Sequence, residues 1–113
     1  TKAIIASNPD IKGFFGANEG SAIGVLNGVK ESKKVGKIMI IGYDSGKAQR
    51  DAIRDGSMAG AITQDPIGIG TKCIEAAVKA IAGETLPKLI DTGFKWYDKT
   101  NIDEADIAAV LYD

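Results

Sequence analysis

Lys37-Ile38-Met39-Ile40-Ile41-Gly42-Tyr43-Asp44 is an apolar run that does not alternate and that stops on a carboxylate. A strand with one wet face alternates polar and apolar residues, whereas a parallel strand covered on both faces reads as an unbroken apolar stretch. The run therefore predicts a buried parallel strand over 37–43. Two other runs share its form: 13–17 leads into Asn18, and 59–63 leads into Gln64.

The segments between these runs have helical spacing. Asn18 stands at the N-cap of a helix whose apolar face is Ala22, Val25, Leu26 and Val29. That helix ends near Lys33-Lys34, with basic residues at its negative pole and Gly36 to break it. A short helix is expected from about Gly46 to Asp55, closed by Gly56, and a longer one from Pro66 to about Ala82, stopped by Gly83. The longer helix carries the apolar stripe Ile67, Ile74, Ala77, Val78 and Ile81. Residues Thr1 to Ser7 read as the end of a helix stopped by Asn8-Pro9-Asp10. Leu86 to Ile90 reads as a fourth strand, Thr92 to Tyr97 as aromatic and extended, and Asp103 as the cap of a last short helix. This alternation calls for right-handed crossovers in a mainly parallel sheet with flanking helices. The fold class is α/β, Rossmann-like or flavodoxin-like.

Composition narrows the function. At 113 residues the chain is one domain at most, with an ordinary globular balance of apolar and charged residues. A net charge of -1 without a basic stretch argues against a nucleic-acid surface. Histidine is absent, which removes the commonest general base, the commonest metal ligand and the His-activated nucleophile pairs. No paired carboxylates or metal-spaced ligands stand out, so no catalytic residue, metal site or cofactor is expected. Cys73 is the lone cysteine and forms no internal disulfide; on a helix it is expected to be a small buried apolar residue. Thr1-Lys2-Ala3 does not resemble a signal-peptide start.

Three parallel neighbours would bring Asn18, Asp44 and Gln64 to the carboxyl edge of one sheet, where open α/β sheets bind ligands. Capping alone would account for Asn18 and Asp44, and a loop position for Gln64. Together they place one polar side chain after each of three successive strands. An amide, a carboxylate and a second amide form a donor and acceptor set suited to a neutral polyol such as a sugar. Asp44 would accept from two hydroxyls, and the amides would fix hydroxyl orientation. Tyr43 reads equally well as a ring laid on the apolar face of a sugar and as a rim aromatic with its hydroxyl in water. Gly68-Ile69-Gly70-Thr71-Lys72 matches neither phosphate-loop spacing, and Glu19 reads as a first-turn carboxylate at the positive helix pole.

The stretches Asn8 to Leu26, Ile38 to Asp44 and Ile53 to Pro66 resemble the periplasmic sugar-binding proteins of bacterial ABC transporters, with the ribose-binding branch the nearest. The resemblance covers about residues 8–90 in order; Phe94-Lys95-Trp96-Tyr97 matches less well. It implies that Asn18, Tyr43, Asp44 and Gln64 contact a pentose or hexose held non-covalently between two lobes. It also implies a partial two-lobe fold. Residues 1–65 correspond to the later part of the second lobe, and residues 66–113 to a crossover helix, strand and tail returning to a first lobe. The implied setting is periplasmic or lipid-anchored extracellular, with an ABC permease as partner of the full-length protein. Where the family has an acidic pair after the asparagine, this chain has Glu19-Gly20, and a looser helix start is expected. The stripe on the 66–82 helix would then face the first lobe or, without it, a second copy. The rival reading is the effector domain of a LacI-type, sugar-responsive transcription regulator, which shares this fold. A flavodoxin-like enzyme domain, or a fragment that only keeps the fold, is the third.

Overall fold

The computed structural model describes residues 1–112. Its sheet is built from β1 (Gly13–Phe15), β2 (Met39–Tyr43), β3 (Gly60–Gln64) and β4 (Phe94–Asp98), in that spatial order. The first two pairings are parallel, with Phe15 opposite Ile41 and Tyr43 opposite Ile62. The third is antiparallel, with Gly60 opposite Asp98 and Gln64 opposite Phe94. The helices are α1 (Lys2–Ser7), α2 (Glu19–Glu31), α3 (Lys47–Arg54), α4 (Pro66–Ile81) and α5 (Ala105–Ala108). This is the α/β class that the strand–helix alternation requires.

The core lies on one face of the sheet. Ala22, Leu26 and Val29 of α2 pack with Ala52 and Ile53 of α3 over Ile40, Ala61 and Tyr97. The strand register puts Phe15, Met39, Ile62, Trp96 and Phe94 on the opposite face. There Met39 is 59% exposed and Phe94 73%. The unalternated run of β2 therefore corresponds to a strand covered on one side within this chain, not on both. Met39 and Phe94 therefore contribute little burial energy within the described residues.

Two further expectations are corrected. Leu86–Ile90 is not a strand; β4 is formed eight residues later, and Leu89 and Ile90 are exposed. The free edge of β3 needs a partner for its N–H and C=O groups. Phe94–Asp98 supplies it while burying Tyr97 completely. The tail thereby packs on the same sheet, with Ile102 and Ile107 in the core shared by α2 and α3. Asp103 is not the cap of α5, whose N-cap is Glu104; its carboxylate pairs with Arg54 at 2.8 Å.

Helix α4 starts as expected, with Pro66 in its first turn and the Asp65 carboxylate accepting from the Gly68 N–H at 2.9 Å. It then projects from the body, with none of its residues buried. Ile67, Ile74, Val78 and Ile81 are all more than half exposed. Cys73 is exposed too, contrary to expectation, because its helix has no buried residue. Residues 84–92 run back beside α4, tied by the Lys72 ammonium to the Asp91 carbonyl.

Candidate functional site

Asn18, Asp44 and Gln64 follow or end β1, β2 and β3 at the carboxyl edge. Gly16 opens this edge. Its N–H donates to the Ile41 carbonyl at 2.9 Å, and a Cβ there would lie 2.4 Å from the Ala22 Cα. Only the missing side chain lets the end of β1 touch the first turns of α2. Asn18 then caps α2 through its Oδ1, which accepts from the Ser21 N–H at 2.8 Å, while the Ser21 hydroxyl accepts from the Asn18 N–H at 3.1 Å. This reciprocal box closes the helix start that Glu19-Gly20 was expected to loosen. The Asn18 Nδ2 donors have no partner among the described residues and face an exposed position.

Asp44 does not cap its own helix. Gly46 is the N-cap of α3, and it makes no side-chain cap bond. The Asp44 carboxylate instead accepts from the Glu19 N–H at 3.3 Å, across to the start of α2. A carboxylate at a helix N-terminus is favoured by the local dipole, so the contact joins two strand ends into one polar rim. Asp44 sits at φ +72°, the left-handed region that Asp tolerates better than most residues. Gln64 is the exposed last residue of β3, and its amide makes no hydrogen bond among the described residues. Tyr43 is half-buried on the open face of the sheet.

Sequence reasoning missed what holds this rim. The hydroxyl of Tyr97, the buried residue of β4, donates to the Asp44 carbonyl at 2.7 Å. Burial pushes its phenol pKa well above the ordinary value, so it stays a donor at neutral pH. The Gln49 amide, also buried, donates to the Tyr43 carbonyl at 2.7 Å. Glu19 is more than a first-turn carboxylate: it lies against Gly46, and the Tyr112 hydroxyl donates to it at 3.4 Å. Only the aromatic run at 94–97 carried any signal of these contacts; Tyr97 and Tyr112 lie 53 and 93 residues from their partners.

The arrangement offers spare amides and a half-buried carboxylate along one edge, with no nucleophile paired to a base among the described residues. Among the described residues no cluster of three acidic, Cys or His side chains could hold a metal.

Comparison with known proteins places this architecture. The family model described as "Periplasmic binding protein domain" matches residues 1–85. The ribose import binding protein RbsB of Haemophilus influenzae is 33% identical over 84% of this chain and 32% of its own length. A solved ABC transporter solute binding protein from Agrobacterium vitis, bound with alpha-D-tagatopyranose, is 33% identical, with a TM-score of 0.92 over 99% of this chain and 38% of that one. A Brachyspira murdochii protein, named both as an ABC transporter and as a LacI family transcriptional regulator, is 40% identical. Its TM-score is 0.80 over all of this chain and 41% of that one. The chain thus spans only 27–32% of the length of ribose-import relatives it matches. The chain belongs to the periplasmic binding protein domain family.

Proposed function

We propose that this chain supplies one wall of the sugar site of an ABC-transport solute-binding protein, with Asn18, Tyr43, Asp44 and Gln64 as its sugar contacts. The observation that carries this reading is the carboxyl edge itself. There the Asp44 carboxylate spans to the α2 start while Asn18 Nδ2 and the Gln64 amide keep unused hydrogen-bonding capacity. A monosaccharide presents hydroxyls that both donate and accept, which matches this set. The relatives' bound sugars and ribose-import names support the same class of ligand. The protein's role is non-covalent capture and delivery to a permease in the periplasm or at the outer cell surface. No reaction is assigned to it. The LacI-type effector domain remains the second reading, on the naming of the Brachyspira neighbour; sugar-dependent DNA binding by the full-length gene product would establish it.

The test is a two-dimensional NMR titration with ribose. Amide shifts should concentrate at Asn18, Asp44 and Gln64. Asp44→Asn should weaken the response about 10–100-fold, since a charge-assisted bond contributes about 1.5–3 kcal/mol. Asn keeps the left-handed backbone and an acceptor for the Glu19 N–H, so lost charge is the main change. Shifts scattered over α4, or an unaffected Asp44→Asn, would remove the proposal.

The same reading has a consequence for assembly. Nearly all of this chain covers only 38% of two of its solved neighbours, and we assign the α4 stripe to the contact with their other lobe. In this chain alone a second copy covers it. Light scattering at high concentration should give a mass above the monomer, and Ile74→Asp with Val78→Asp should restore the monomer. A wild-type monomer throughout the range counts against this.

A further inference from the structure

The turn after β2 carries two consecutive carbonyls that point inward, and a buried carbonyl needs a donor. Neither is served by its own strand neighbour. The Tyr43 carbonyl is taken by Gln49 of α3 and the Asp44 carbonyl by Tyr97 of β4, both at 2.7 Å. The Asp44 N–H donates to the Ile62 carbonyl, also at 2.7 Å. Asp44 is thereby gripped on both sides of its Cα, at a φ of +72° that its local sequence does not enforce. With both flanking peptides fixed, the direction of the Cα–Cβ bond is fixed, and only the side-chain rotamer remains to be set. The Glu19 N–H sets it.

We propose that Tyr97 is a positioning residue of the sugar site: its buried hydroxyl fixes the Asp44 peptide and so aims the Asp44 carboxylate over the carboxyl edge. This rests on the reading of Asp44 as a sugar contact. A phenol suits the task. Its ring fills core volume beside Ala61, its register partner, and its rigid geometry delivers one donor to one carbonyl. The antiparallel pairing of β4 with β3 sets how far that ring reaches. A strand formed at Leu86–Ile90 would not place Tyr97 there. The tail from Phe94 onward therefore belongs to the binding machinery, although it touches no ligand in this scheme.

Tyr97→Phe in the whole chain tests this, because it keeps the ring and removes only the hydroxyl. Two changes are expected by NMR. The Glu19 amide resonance should move, since that N–H donates to the displaced carboxylate, and the ribose titration midpoint should rise about three- to tenfold. A purely packing role would lower the melting temperature and leave the Glu19 amide and the midpoint where they were; that result overturns the proposal. Should the variant not fold, the wild type decides. A slowly exchanging Tyr97 hydroxyl proton with a cross-peak to Asp44 Hα is expected, and a rapidly exchanging one overturns the assignment. If the wild type shows no ribose-dependent shifts at the edge, the sugar reading fails. The Glu19 amide and the hydroxyl proton then still decide whether Tyr97 positions Asp44.

Discussion

Gly16→Ala should destabilise the chain by about 3 kcal/mol, the upper part of the range for forcing a methyl into a packed core. The added Cβ would stand 2.4 Å from the Ala22 Cα and 2.6 Å from its N. These are backbone atoms of α2, so no rotamer change relieves the clash. Either β1 or α2 must move, and Ala22 is fully buried against the core. A whole domain of this size is held by only about 5–15 kcal/mol, so the loss is a large fraction of the total. The expected drop in melting temperature is about 10 °C or more. Gly24→Ala is the matched control. It lies on the same helix, and its new Cβ meets nothing within 4 Å. Relief of backbone entropy there should stabilise by about 0.5–1 kcal/mol. Equal effects at the two positions would show that the β1–α2 contact is looser than described. The site should suffer with the fold at Gly16, because Asn18 is placed by that contact.

Lys37 to Asp44 told where a parallel strand lies and where it delivers a carboxylate, because both depend on local order: period, chain direction and the residue that ends the run. Asn18 and Gln64 were legible for the same reason. Leu86–Ile90 misled because a strand is defined by its partner, and sequence pattern does not say which segment reaches the free edge of β3. The answer, Phe94–Asp98, has the alternation of a one-sided strand, with Tyr97 inward and Trp96 outward. Cys73 and the two-sided cover expected for β2 failed together. The one rested on the usual burial of a lone helical cysteine and the other on an unalternated apolar run; both presuppose a covering layer, and within residues 1–112 that layer is absent from α4 and from the face bearing Met39. The Tyr97–Asp44 bond spans a sequence separation of 53 residues. No motif links the two, so the device that aims Asp44 was invisible until β4 was paired.

The isolated chain should bind ribose no more tightly than about millimolar, and this follows from what one wall can offer. Two neutral amide bonds contribute about 1 kcal/mol each and the Asp44 carboxylate about 2–3, a total of about 4–5 kcal/mol. Loss of translational and rotational freedom takes about 4 kcal/mol or more. A micromolar complex needs about −8 kcal/mol, roughly 4 kcal/mol beyond a millimolar one. Nothing on this edge supplies that difference. The exposed amides of Asn18 and Gln64 also compete with water, which keeps their net contribution small. Calorimetry on the chain alone should therefore show no saturation below the millimolar range. If the proposed function holds, a full-length gene product that adds an opposing wall, excluding water and adding contacts, should bind about a thousandfold more tightly. The two measurements separate two errors. Micromolar affinity in the isolated chain would mean that its own edge is a complete site. Millimolar affinity in the full-length protein would mean that Asn18, Asp44 and Gln64 serve a different ligand.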